Sequence, residues 1–271
     1  PQPTGLGRKA SLLLTTLSGQ GKVVFTALDA HEILEGSPSA TYKMLHDLAR
    51  GGWLHVLGKG RYLIIPLEAG PERRYTAHEF LIAHHLAPEG YIAYWTALHH
   101  HGLTEQIPRS VWVATPRRRP GTTVLGVPYI FVTLRPHKVF GHQPVWIEGQ
   151  PVPVADLEKS LVDALDHPEH CGGISEVAKA LAVALEERRA DLERLTEYAI
   201  RMRNTAILKR LGYLAGRLSL PVGDFPERWY RALSAGYAWL DPARPASGPL
   251  DRRWRIRVNV GADELTGWRE P

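Results

Sequence analysis

The chain has one cysteine, Cys171, in 271 residues. A single thiol excludes an intrachain disulfide and a four-cysteine zinc site, and it fits a reducing compartment. No apolar run approaches the roughly 18 to 20 residues of a membrane span, and the amino end shows no signal-peptide core. The expectation is a cytoplasmic protein with no membrane partner. Catalytic signatures are also missing: there is no glycine-rich phosphate loop, no Gly-x-Ser-x-Gly, and no Asp-x-Asp of the kind a nucleotidyltransferase carries. Internal repeats and low-complexity tracts are absent too.

What is present is enough apolar material for real cores. The 44% hydrophobic content excludes a disordered chain, and the length favours two domains over one. A net charge of +5 suits a polyanionic partner without requiring one.

The densest signal lies between Gly36 and Ile65. Ser37 can cap a helix, Pro38 suits its first position, and Gly51 or Gly52 ends it, so a helix is predicted over 38–50. At about 100° per residue, Thr41, Met44, Leu45 and Leu48 share one stripe. Ser39, Tyr42, Lys43, His46 and Arg50 fall opposite and are free to reach outward. Two apolar-rich runs, 53–57 and 61–65, flank Gly58-Lys59-Gly60 and form a hairpin with Lys59 at its tip. Upstream, Asp29 and Glu32 have capping-box spacing ahead of a short helix ending near Glu35, with Gly36 as the turn.

Helix, turn, polar helix and basic hairpin follow the order of a winged helix-turn-helix. Such a unit places a helix in the major groove and a cationic arm on the phosphates. Ser39, Tyr42, Lys43 and His46 are therefore candidates for base or backbone contacts, and Arg50, Lys59 and Arg61 for phosphates. With a helix at 8–17 and a short strand at 22–26, this domain is expected to span residues 1–70. The boundary is set by the Pro- and Gly-containing stretch 66–71.

Residues 71–271 read as a larger mixed α/β domain, giving an α+β chain overall. Helices are expected at 77–86 and 91–101, and strands at 111–115, 127–134, 145–148 and 152–154. Helices follow at 154–165, 175–187, 191–203, 205–218 and 226–235, and a last strand at 253–260. Trp95, Trp112 and Trp146 are expected to fill the core.

Two basic features suggest a second nucleic-acid surface: the loop Arg117-Arg118-Arg119 between prolines, and Arg253, Arg255 and Arg257 alternating along the last strand. The competing reading of that strand is an edge protected by charge. Lys209, Arg210 and Arg217 mark another basic stretch on an apolar helix. Asp156-Leu157-Glu158-Lys159 approaches the acid-x-lysine element of nucleases, but no residue separates Glu158 from Lys159. An i,i+4 pair of Lys159 with Asp163 accounts for it. The histidines at 84–85 and 99–101 are not expected to hold metal, since adjacent histidines on a helix diverge by about 100°. The run His167-Pro168-Glu169-His170-Cys171 has ligand types that suit zinc, but a structural site needs a further ligand at a workable distance and a catalytic one a shaped pocket, so no metal is expected there either. No cofactor and no catalytic residue is expected.

Two stretches carry a family resemblance. Tyr91-Ile92-Ala93-Tyr94-Trp95-Thr96-Ala97-Leu98 through His101-Gly102 to Pro108, with the strand at 111–115, resembles the AbiEi antitoxins. So does Val154-Ala155-Asp156-Leu157-Glu158-Lys159-Ser160-Leu161-Val162-Asp163-Ala164-Leu165, with Pro168 and Gly172-Gly173 beyond it. The resemblance implies an antitoxin of a type IV toxin-antitoxin system. Such a protein is a winged-helix transcriptional autorepressor that binds inverted repeats in its own promoter, on double-stranded DNA. It implies a functional link to a nucleotidyltransferase toxin, neutralised through the carboxy-terminal domain without a stable complex. The tail after Leu220 matches nothing in that pattern. The alternatives are a nuclease-like enzyme targeted by the winged helix, or a protein-interaction module.

Overall fold

The computed structural model describes residues 6–58, 60–65 and 78–269. The expected domain boundary at 66–71, and Lys59, lie outside the described residues. Packing divides the chain into two compact units. The first comprises residues 1–88, 123–127 and 146–151, and the second 89–122, 128–145 and 152–271.

The first unit runs α1 (Arg8–Gly19), β1 (Val24–Thr26), α2 (Ala27–Leu34), α3 (Pro38–Arg50), β2 (Leu54–Gly58), β3 (Arg61–Ile64) and α4 (Glu79–Leu86). Its sheet has the order β1-β3-β2, with both pairings antiparallel and Val24 opposite Leu63. This is the winged-helix arrangement that the residue pattern predicts. The core gathers Leu13, Leu17, Phe25, Ala30, Leu45, Leu54 and Tyr62 between the helices and the small sheet. Phe25 stacks on Tyr62 with ring centroids 5.6 Å apart, which ties β1 to β3.

One cap falls elsewhere than predicted. The capping box at α2 pairs Thr26 with Asp29, not Asp29 with Glu32: the Asp29 carboxylate accepts from the Thr26 backbone N–H at 2.7 Å. The helix therefore starts one turn earlier, because a threonine leaving β1 in extended conformation is already placed to cap it.

From residue 89 on, the chain runs β4 (Tyr91–Ile92), α5 (Tyr94–His100), β5 (Val111–Thr115), β6 (Thr122–Val124), β7 (Val127–Thr133), β8 (His142–Ile147) and β9 (Gln150–Ala155), in the second unit except for residues 123–127 and 146–151. These strands form one mixed sheet in the order β6-β7-β5-β4-β9-β8. Within it β4 pairs antiparallel with β5 and parallel with β9, and β5 runs parallel to β7. Helices α6 (Leu157–Asp166), α7 (Ile174–Glu186), α8 (Leu192–Arg201), α9 (Thr205–Arg217) and α10 (Phe225–Arg231) follow. The chain then adds three two-residue strands, β10 (Ala238–Trp239), β11 (Leu250–Asp251) and β12 (Ile256–Arg257), and α11 (Ala262–Thr266).

Three expectations are corrected here. Residues 91–92 are a strand, not the first turn of a helix, because their backbone completes the ladder between Val113–Ala114 and Val154. The predicted strand at 253–260 shrinks to Ile256–Arg257, since residues 252–255 form a turn. Trp146 is 71% exposed rather than core. It sits on β8, the last strand in the sheet order, where period-two alternation turns every second side chain outward.

Helix α6 is the centre of the second unit. It packs against α5, α7, α8 and α9, and every residue from Glu158 to Asp166 is buried. Four of those residues are charged, so each needs a partner. The Lys159 ammonium pairs with Asp163, and Tyr91 donates its hydroxyl proton to the same carboxylate at 3.0 Å. Burial raises the Asp163 pKa, and Lys159 opposes that rise. Glu158 accepts from the Asp191 backbone N–H at 2.8 Å. Asp166 accepts from Lys138 and from the Asn204 amide, each at 2.6 Å.

Candidate nucleic-acid interface

Helix α3 begins where Ser37 Oγ accepts the Ala40 backbone N–H at 3.3 Å, with Pro38 in the first turn. Thr41, Leu45 and Leu48 are buried and Met44 is half-buried, which anchors the inner face. Ser39, Tyr42, Lys43, His46 and Arg50 are all exposed on the other side. The five side chains assigned to the outer ridge by periodicity do share the solvent face. Asp47 tempers its charge: its carboxylate lies 3.3 Å from Arg50 and 3.8 Å from the His46 ring. An exposed pair of this kind contributes well under about 1 kcal/mol, so a phosphate can take Arg50 from it.

The wing is built by β2 and β3, which splay through a register shift between Val56 and Gly58. Both turn glycines, Gly58 and Gly60, have positive φ, at 89° and 71°, a backbone conformation that glycine adopts without strain. Arg61 lies at the base of this arm and is half-buried, and its Nη1 donates to the His85 carbonyl at 2.8 Å. That bond ties β3 to α4. Arg61 is thus partly committed to holding the unit together, which its place in the sequence did not reveal.

Residues that the sequence did not single out surround Arg61. A cavity of about 440 Å³ is lined by Lys22, Thr26, Asp29, Arg61, His85 and Gln150, among others. Lys22 donates to Asp29 at 2.8 Å. Burial works to raise the Asp29 pKa, but hydrogen bonds from Lys22 and Thr26 outweigh it and hold it at about 2. His85 is kept neutral by burial, and its ring shares a hydrogen bond with Gln150 at 3.1 Å. No single-residue motif marks this group, because its members come from separate stretches of sequence.

The second basic loop is less free than its composition suggests. Arg119 donates to Glu89 at 2.7 Å and is only 20% exposed, while the Arg117 guanidinium lies 4.0 Å from the same carboxylate. Burial works against ionised Glu89, but Arg119 and Arg117 outweigh it and lower its pKa. Arg117 and Arg118 stay exposed between β5 and β6. Along the tail, the expected outward row of arginines is not a free surface. Arg253 reaches Glu227 at 3.4 Å, Arg255 donates to the Ser234 carbonyl at 2.8 Å, and Arg257 lies over the Trp239 ring. Lys209 and Arg210 are buried, Arg210 donating to the carbonyls of Leu165, Asp166 and Trp239. These cations close carbonyl groups that would otherwise be left unsatisfied.

The nuclease-like stretch is likewise occupied. Asp156 caps α6 by accepting the Lys159 backbone N–H at 2.8 Å and takes a hydrogen bond from Tyr198 at 3.0 Å. With Glu158 and Lys159 buried against their own partners, this stretch offers no set of groups converging on an open cleft.

Residues 91–217 match the family model for the AbiEi antitoxin C-terminal domain. The match supports an AbiEi antitoxin domain over this part of the chain. The matched span includes β4, the buried Lys159–Asp163 pair and helices α5 to α9. No curated protein matches the sequence significantly. Among solved structures, the chain is similar to the RV2827C protein from Mycobacterium tuberculosis. The likeness has a TM-score of 0.65 at 18% identity and covers 100% of this chain and 99% of that one. At that identity the likeness concerns the fold alone, over the whole chain. Among the described residues no helix is long and apolar enough to cross a membrane.

Proposed function

We propose that this chain is an AbiEi-family antitoxin that represses its own promoter by binding inverted repeats in double-stranded DNA. One observation carries the reading: the polar ridge of α3 is fully exposed on a helix whose opposite face is locked into the core. A helix of 13 residues is about 20 Å long, enough to lie along the major groove of a half-site. In this reading Ser39, Tyr42, Lys43 and His46 face the base edges and the phosphates beside them. Arg50, Lys59 and Arg61 hold the backbone, and Arg117 and Arg118 can lengthen the footprint. The functional division is at residue 70, with 1–70 reading DNA and 71–271 neutralising a nucleotidyltransferase toxin in the cytoplasm. No bond-breaking chemistry is needed.

The test is fluorescence anisotropy with DNA from the region upstream of the chain's own gene, against a shuffled duplex, over a salt series. The reading requires tighter binding to the upstream DNA and an affinity that falls steeply with salt. Equal, weak binding to both duplexes defeats it. Growth of cells expressing the toxin, with and without the antitoxin, tests neutralisation separately.

A further inference from the structure

We propose that His167, Glu169 and His170 form a binding site for a divalent transition-metal ion, of which zinc is the natural probe. The site belongs to the second unit and does not depend on the DNA-binding reading.

The argument starts from local backbone. Residues 168–170 are a 3-10 turn, entered through His167 and begun by Pro168. In that geometry residues i and i+3 eclipse, unlike the 100° divergence of neighbours on an α-helix. His167 and His170 are i and i+3. Their rings accordingly lie face to face, with centroids 5.3 Å apart and planes 19° from parallel. Glu169 folds back so that its carboxylate meets His167 Nδ1 at 2.9 Å. One donor atom from each of the three side chains lies within 4.8 Å of the others. The expectation of no metal rested on the need for a further ligand or a shaped pocket; the turn brings three donors of the run together.

The donor set is two imidazoles and one carboxylate, which suits zinc and other first-row divalent ions and leaves coordination positions open to water. The surroundings are preformed. Trp112 stacks on the His170 ring at 4.7 Å, and Tyr94 packs edge-on against both imidazoles. Tyr94 is itself fully buried, and its hydroxyl has no hydrogen-bond partner.

Cys171 is not part of the set. It is completely buried, and burial pushes its thiol well above the usual range, so it supplies no thiolate.

The test uses tag-free full-length protein, stripped with a chelator and exchanged into metal-free buffer, titrated with zinc by calorimetry. Wild type should bind one equivalent. His170→Ala and Glu169→Gln should each weaken that binding by more than about tenfold, with unchanged far-ultraviolet circular dichroism. The double variant His99→Ala/His100→Ala, which alters two adjacent exposed histidines on α5, should bind like wild type. Cobalt substitution adds a direct readout: visible bands that appear in wild type and are lost in Glu169→Gln report the carboxylate ligand. No heat of binding in wild type overturns the proposal. So does equal affinity in wild type and Glu169→Gln, or a loss of binding in the His99/His100 variant.

Discussion

Helices α3 and α6 both carry several charged groups, yet they use them in opposite ways. On α3 the ionisable side chains lie on one face, in water, and their contacts with each other are weak. On α6 the four charges are buried, each against a partner. The first arrangement leaves cations free for another molecule, whereas the second uses up charge in internal pairing. The amount of charge does not distinguish a binding surface from a structural element; whether each charge already has a partner does.

The strongest way to break that contrast is to remove one partner inside the second unit. Lys159→Ala strands a fully buried Asp163 carboxylate, and loss of about 3 to 5 kcal/mol is expected in chemical denaturation. Lys43→Ala, on α3, should lie within about 0.5 kcal/mol of wild type in the same experiment. If the two variants were equally stable, the internal pairing would not have the weight given to it.

Gly212→Ala probes the same core without touching charge. A Cβ there would sit 2.2 Å from the Trp254 ring, so the ring and the tail around it must move. About 1 to 3 kcal/mol of destabilisation is expected, together with a changed tryptophan fluorescence spectrum.

Asp29→Ala removes the carboxylate half of the α2 capping box and the Lys22 pair, leaving the bond from the residue-29 backbone N–H to Thr26 Oγ1, at an expected cost of about 1 kcal/mol. Because the folded-state pKa of Asp29 is depressed to about 2 from 3.8, its contribution is complete above pH 3.8. As acid protonates the carboxylate, that contribution disappears between about 3.8 and about 2. Wild type and Asp29→Ala should therefore converge in stability at the acid end of a pH series; a gap that widened there would contradict the assignment.

The smallest effect is expected for Lys59, which the sequence sets between Gly58 and Gly60. Lys59→Ala should weaken binding to operator and random duplex alike, and should reduce the slope of log affinity against log salt by about one. A selective loss on the operator would make Lys59 a base reader instead.

How much of this was legible before any coordinates follows from the same physics. The outer ridge of α3 could be read because its polar residues and its Leu45–Leu48 stripe sit on opposite sides of a regular helix. On α6 the spacing shows the Lys159–Asp163 pair, but the burial of Glu158 and Asp166 cannot be read, since their partners Lys138, Asp191 and Asn204 arrive from elsewhere in the chain. Arg210 and Arg255 misled for the same reason: backbone carbonyls that accept from them are remote in sequence. The cluster at 167–170 was not legible, because residue types alone do not show that a 3-10 turn folds Glu169 back onto His167. Local periodicity sees faces, whereas tertiary partners decide which charges remain available.

The measurement closest to the central claim is the ratio of affinities for upstream and shuffled duplex, in wild type and in Lys43→Ala. The account predicts that this substitution lowers the ratio, costing about 1 to 3 kcal/mol on upstream DNA with the fold intact. An unchanged ratio, with both affinities intact, would contradict it and leave the exposed ridge of α3 without a role in DNA recognition.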